Sequence, residues 1–177
     1  MSAAKMLAPL AGALLLSIGA HAQGVGAAPP YREYAAKFTC GTESTKEPDD
    51  VVSGVYASSI NIHNPQAGLK VTFIKKLVVA NREGTPLARP RVIDNNVLGP
   101  DQADRVDCIF IRRTLDSSAA YLEGFVVIEV PPVASPTGSA NRIQPVLDVI
   151  AKYTARGLAG NVTTQSVVQI GGQQIAN

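Results

Sequence analysis

From Tyr34 onward, apolar and polar side chains alternate with a period of two in short runs broken by Gly, Pro, Asn and Asp. That period puts successive side chains on opposite faces of an extended chain, which is how a strand with one buried face reads. Tyr34 to Cys40 predicts a first strand, with Phe38 and Cys40 on one face, and the polar Gly41 to Asp50 predicts a loop. The cleanest run is Tyr56 to Ile62, where Tyr56, Ser58, Ile60 and Ile62 alternate with Ala57, Ser59, Asn61 and His63. Asn64-Pro65 ends it, because proline cannot donate to a ladder and restricts the residue before it.

Leu69 to Ala80 predicts the next strand, with Leu69, Val71 and Phe73 sharing a face. Lys75-Lys76 conflicts with it, since either parity turns a lysine inward. A β-bulge or an exposed edge resolves the conflict. Residues 82–98 are looser, with Val92-Ile93 as a short strand. Gly99-Pro100-Asp101 is a turn in which proline presets φ. Arg105 to Ile111 reads as a strand with Val106, Cys108 and Phe110 on one face. Tyr121 to Val130 is apolar at both parities, as in a central strand or one covered on both sides. Pro131 to Pro145 reads as a long loop. Val146 to Tyr153 alternates again through Leu147, Val149, Ala151 and Tyr153, and Val162 to Ile170 is a last, more polar strand. Six to eight strands with frequent turns and no sustained helical period predict an all-β fold, an antiparallel β-sandwich.

The chain begins with the three zones of an export signal: Lys5, the uncharged run Leu7 to Ala20, and Ala20-His21-Ala22 at the cleavage positions. Residues 1–22 are therefore expected to be a signal peptide, and Gln23 the mature start. A membrane anchor is the alternative, but a spanning helix needs about 20 apolar residues and this run is shorter. No later run is long enough to span, so no membrane span is expected in the mature chain. Residues 23–33 are expected to form a flexible leader, 34–170 the sandwich and 171–177 a flexible tail. The expected destination is periplasmic or secreted.

Loss of Lys5 lowers the formal charge from +2 to about +1, and the remaining charges are interspersed. This speaks against nucleic acid, which requires a basic stripe to neutralise phosphates, and against a polybasic membrane patch. Two cysteines are present, Cys40 and Cys108. In an oxidising compartment an isolated pair is most simply a disulfide; two reduced thiols, one of them reactive, are the alternative. A bridge would close about 70 residues, for which chain entropy gives about 4 kcal/mol before strain.

His63 is the only histidine of the mature chain, so a multi-histidine metal site and a Cys2His2 set both lack ligands. No metal or cofactor is expected. A Cys–His nucleophilic pair requires an unbridged cysteine beside His63, and no Gly-x-Ser-x-Gly elbow supports a serine nucleophile. Asp101, Asp104 and Asp107, like Asp49-Asp50, have the spacing of solvated loop and edge residues. Neither set forms the Asp-x-Asp-x-Asp-Gly run of a calcium loop, nor an evident glycosidase pair. Lys75-Lys76 and Arg112-Arg113 could meet on one face and attract an acidic glycan or lipid head group, or they could guard a sheet edge.

A combination of short motifs carries a resemblance. They are Lys37-Phe38-Thr39-Cys40-Gly41, Gly54-Val55-Tyr56, Asn61-Ile62-His63-Asn64-Pro65, Leu98-Gly99-Pro100-Asp101 with Asp107-Cys108, Gly124-Phe125-Val126-Val127-Ile128-Glu129, and Leu147-Asp148-Val149 with Tyr153-Thr154-Ala155. Each is weak singly, but in this order they resemble a group of small secreted bacterial β-sandwich proteins without established activity. The likeness covers about residues 34–156 and departs in the Pro131 to Pro145 insert. It implies a sandwich and an exported location, and no particular chemistry.

The expected function is that of a non-enzymatic binding or structural component of the bacterial envelope or extracellular space, its partner an envelope protein or a glycan. Contacts are expected on the turns carrying His63, Asn64 and Pro65, on those carrying Gly99, Pro100 and Asp101, and on the 131–145 loop, because rigid scaffolds tend to bind through loops. A carbohydrate-binding module or carbohydrate-active enzyme is the competing class. With tryptophan absent, only Tyr31, Tyr34, Tyr56, Tyr121 and Tyr153 could supply its aromatic platforms.

Overall fold

The computed structural model describes residues 30–44, 51–80, 89–135, 142–158 and 163–175. The expected signal peptide and mature start lie outside these residues. Among the described residues the elements run β1 (Tyr31–Glu43), β2 (Gly54–His63), β3 (Val71–Val79), β4 (Arg91–Leu98), β5 (Ala103–Asp107), α1 (Cys108–Leu115), β6 (Tyr121–Val130), β7 (Val133–Ala134), β8 (Arg142–Ile143), β9 (Asp148–Gly157), β10 (Thr163–Ile170) and β11 (Gln173–Ile175). Every pairing is antiparallel. The main ladder is ordered β10-β9-β2-β1-β6-β3-β4, with β5 also on β2 and β11 also on β1.

The sandwich arises from how β1 and β2 part. They pair only through Gly41–Glu43 against Gly54–Tyr56. Beyond that point β5 takes the edge of β2 along Ser59–His63, and β11 takes the edge of β1 along Tyr31–Glu33. One layer is therefore β10-β9-β2-β5 and the other β4-β3-β6-β1-β11. The period-two residues meet between them. Tyr34, Phe38, Phe73, Leu77, Val126 and Ile128 come from one layer, and Ile60, Ile62, Val106, Val149 and Ala151 from the other, all buried. Burying each large aliphatic or aromatic side chain is worth about 1.5–3 kcal/mol. Gly41 marks where β1 leaves β2. Its φ is +107°, and a Cβ there would lie 2.0 Å from the Ala120 carbonyl oxygen and 2.1 Å from the Arg112 guanidinium, so only glycine fits. Next to it, the Sγ atoms of Cys40 on β1 and Cys108 at the start of α1 lie 2.08 Å apart, a disulfide that ties one layer to the other.

Several expectations are corrected. β1 is longer than Tyr34 to Cys40, and it takes in residues 31–33 of the expected leader and 41–43 of the expected loop, because β6, β11 and β2 supply ladder partners along its whole length. The expected tail likewise contains β11, held on Tyr31–Glu33. The strand expected over Arg105 to Ile111 stops at Asp107, and α1 follows. Extended in conformation, Asp107 caps the helix by accepting the Phe110 N–H at 2.9 Å. Asp116 at φ 50° closes it, and Arg112 and Arg113 in the last turn suit the negative end of the helix dipole. The 131–145 loop contains the short antiparallel β7–β8 pair.

At the lysine pair the expected bulge is found and the exposed edge is not. A bulge is present, since Lys75 faces Asp94 while Lys76 faces Val92, but the extra residue is Ile93 on β4. β3 keeps its alternation and lies inside the sheet, between β6 and β4, so Lys75-Lys76 guards no edge. Lys75 points inward and is buried. It is paired with Asp104 and lies 5.5 Å from the centre of the Phe110 ring.

Candidate binding site

The loops singled out by sequence come together at one end of the sandwich. Asn64 is fully buried, and its amide nitrogen donates to the carbonyls of Leu69 at 2.7 Å, Leu98 at 3.2 Å and Gly99 at 3.0 Å. Its side-chain oxygen accepts the Gln66 N–H at 3.1 Å, and its backbone carbonyl accepts the Asp101 N–H at 3.0 Å. One asparagine therefore closes the β2–β3 and β4–β5 turns on each other. His63 lies between two carboxylates, with Nε2 3.7 Å from Asp101 and Nδ1 3.5 Å from Asp148. Gln66 donates to the Val146 carbonyl at 3.0 Å, which draws in the exit of the 131–145 segment. Pro65, Pro100 and Asp101 face solvent, Gly99 is half-buried, and the Asn64 side chain is wholly engaged within the fold.

The other charged candidates disperse. Asp104 pairs with Lys75, whereas Asp107 caps α1 and lies 3.3 Å from Arg105. Lys76 is paired with Glu129. Arg112 donates to the carbonyls of Cys40 at 2.9 Å and Ala120 at 3.0 Å. The two basic doublets do approach each other, because Lys75 and Arg113 flank the Phe110 ring, at 5.5 and 5.8 Å. Most of their charge is nonetheless neutralised or held by main-chain carbonyls. Among the described residues no group of three His, Cys, Asp or Glu side chains is placed to hold a metal. Asp49-Asp50 lies outside the described residues.

At the other end a groove of about 620 Å³ opens on the sheet. Its location follows from register. Gly41 pairs with both Tyr56 and Tyr121, Ser58 pairs with Tyr153, and Tyr153 pairs with Ser166. Alternation then sets Lys37, Thr39, Tyr56, Tyr121, Tyr153, Thr164 and Ser166 on one face. On β2 and β9 that face is core higher up, at Ile60, Ile62, Val149 and Ala151. Where the sheet passes from one layer to the other, the same face emerges into solvent. The groove is thus an open continuation of the core.

The rings of Tyr56 and Tyr121 meet edge to face with centres 5.8 Å apart, and the Tyr56 hydroxyl donates to the Val52 carbonyl. Burial, followed by the charge of Glu123, pushes the Tyr121 hydroxyl up to about 12, and burial also raises Tyr153. Lys37 and Glu123 form an ion pair at 3.2 Å beside them. Val51, Val52, Thr154, Ala155 and Gln165 complete the lining.

No protein-family model, curated protein or solved structure matches this chain.

Its chemistry must therefore be read from its own side chains. Of the five tyrosines nominated as platforms, Tyr34 is in the core, its hydroxyl accepting the Leu147 N–H at 2.9 Å, and Tyr31 opens β1. The remaining three converge, although 97 positions separate Tyr56 from Tyr153. Composition could nominate these residues, but only the ladder could bring them together. Aromatic rings beside hydroxyls on a rigid, open sheet suit the holding of a ligand. Among the described residues no helix is long and apolar enough to cross a membrane.

Proposed function

We propose that this chain is an exported, non-enzymatic β-sandwich that holds another component of the bacterial envelope or extracellular space at its tyrosine groove. One observation carries the proposal: Tyr56, Tyr121 and Tyr153, from three different strands, share one open face of a rigid sheet. Export is supported by the three-zone N-terminus, by the Cys40–Cys108 bridge, which suits an oxidising compartment, and by the resemblance to secreted sandwiches. The binding role is supported by where the ionisable groups sit. Asp104, Asp107, Lys76 and Arg112 are each engaged in holding the fold.

The test is capture of cross-linked envelope components on tagged mature chain, with Tyr153→Ala and Asp101→Ala variants in parallel. A component retained by the unaltered chain and by Asp101→Ala, but lost from Tyr153→Ala, is the expected result. Equal retention by all three would move the seat away from the groove.

A further inference from the structure

We infer that the groove takes a short stretch of a neutral polysaccharide; the inference rests on the groove being the binding seat proposed above. Four properties of its lining point to this ligand. The first is the pairing of surfaces. Tyr56, Tyr121 and Tyr153 offer apolar ring area, while Thr39, Thr164 and Ser166 set hydroxyls on the same face. A sugar ring has the matching character, with C–H faces and a hydroxylated rim. The second is charge. Among the described residues Lys37 is the only charged side chain in the lining, and Glu123 neutralises it at 3.2 Å. A phosphate or a uronic acid would find no uncompensated cation among these described residues.

The third property is shape. From β6 through β1, β2 and β9 to β10 the groove crosses four inter-strand steps, or roughly 19 Å at ~4.8 Å per step. That is room for several sugar units, and an open groove of this length suits a stretch of chain better than a single sugar. The fourth is backbone availability. β9 is laddered on both sides, by β2 and β10, and the groove crosses the face of the sheet, reaching an edge only at β10. An extended peptide binds a sheet mainly through free main-chain groups at an edge, and the floor of this groove offers few. An acyl chain would need an enclosed apolar cavity, whereas this groove is open and carries the hydroxyls of Thr39, Thr164 and Ser166.

The test is an NMR titration of the oxidised mature chain with cellulose-, chitin- and starch-derived oligosaccharides, with an oligogalacturonate as the acidic control. At least one neutral series should shift the amides around Thr39, Tyr153 and Ser166 saturably and leave those around His63 and Pro100 unmoved. Affinity should fall at least about tenfold in Tyr153→Ala, a loss of the size seen for a central aromatic contact. Thr164→Val with Ser166→Ala, on an exposed strand, should weaken it without unfolding the protein. Groove shifts from none of the neutral series, or tighter binding of the acidic control, would overturn the inference. If a cross-linked envelope protein still depends on Tyr153 in that event, the binding role stands and only the ligand class falls. If nothing depends on Tyr153, both fall.

Discussion

The two ends of this sandwich handle polar groups in opposite ways. Around His63 and Pro100, side chains satisfy the main chain: Asn64 bonds to three carbonyls of two other segments, and His63 sits between Asp101 and Asp148. Around Tyr56, Tyr121 and Tyr153 the sheet itself satisfies the main chain, and the side chains are left to form a surface. The first end is closed by its hydrogen bonds. The second stays open because the core face of β2 and β9 runs on past the point where β1 joins. A buried polar residue with every bond made contributes rigidity, whereas a half-exposed aromatic on a rigid sheet contributes recognition.

That contrast can be broken experimentally. The largest effect should come from the bridge that ties the two layers together. Cys40→Ala with Cys108→Ala, closing 68 residues in the native chain, should lower the unfolding free energy by about 4 kcal/mol on the chain-entropy scale, read by urea denaturation. Hydrogen exchange should then quicken at both ends; quickening at one alone would show the layers to be independent.

Asn64→Ala comes next. It leaves the buried Leu98 carbonyl and the part-buried carbonyls of Leu69 and Gly99 without their donor, and a loss of about 3 kcal/mol is expected. Ligand capture at the groove should survive it. Tyr153→Ala is the mirror image, costing about 1 kcal/mol or less in stability because the ring is only half-buried, while abolishing capture. A stability loss in Tyr153→Ala as large as that in Asn64→Ala would make the tyrosine a core residue and remove the distinction. Lys75→Ala should cost about 2 kcal/mol, less than a fully buried pair because Asp104 keeps access to water.

The smallest effect is at high pH. Tyr121 ionises at about 12 in the folded state against 10.0 unfolded, so the folded protein holds that proton more tightly. Its contribution is intact below pH 10.0 and is lost as pH rises toward about 12. Ultraviolet titration of tyrosinate should show a late step that vanishes in Tyr121→Phe. An unchanged late step would place that shift elsewhere.

Much of the fold was legible because a period of two survives in the chain wherever one face is buried. Ser58-Ile60-Ile62 and Leu147-Val149-Ala151 read correctly from spacing alone. The run Val106-Cys108-Phe110 misled, because period two over five residues is shorter than one helix cap can override. The signal passed over was Asp107, a residue type favoured at N-caps, with the arginine doublet placed for a C-terminal turn. The role of Lys75 was hidden for a different reason, since its partner Asp104 lies in the other layer. The turn motifs Asn64-Pro65 and Gly99-Pro100-Asp101 stood out in the sequence, and their asparagine proves to act inside the fold. The groove had no local signature. Its tyrosines are sequence-distant, and strand register alone unites them.

The most direct test is to place a photoreactive side chain at Ser166, in the groove, or at Pro100, on the opposite end, and irradiate each variant in its native envelope. Adducts from the Ser166 position that disappear with Tyr153→Ala, and none from Pro100, are the expected result. Adducts from Pro100 alone would put the binding surface on the closed end and contradict the assignment made here.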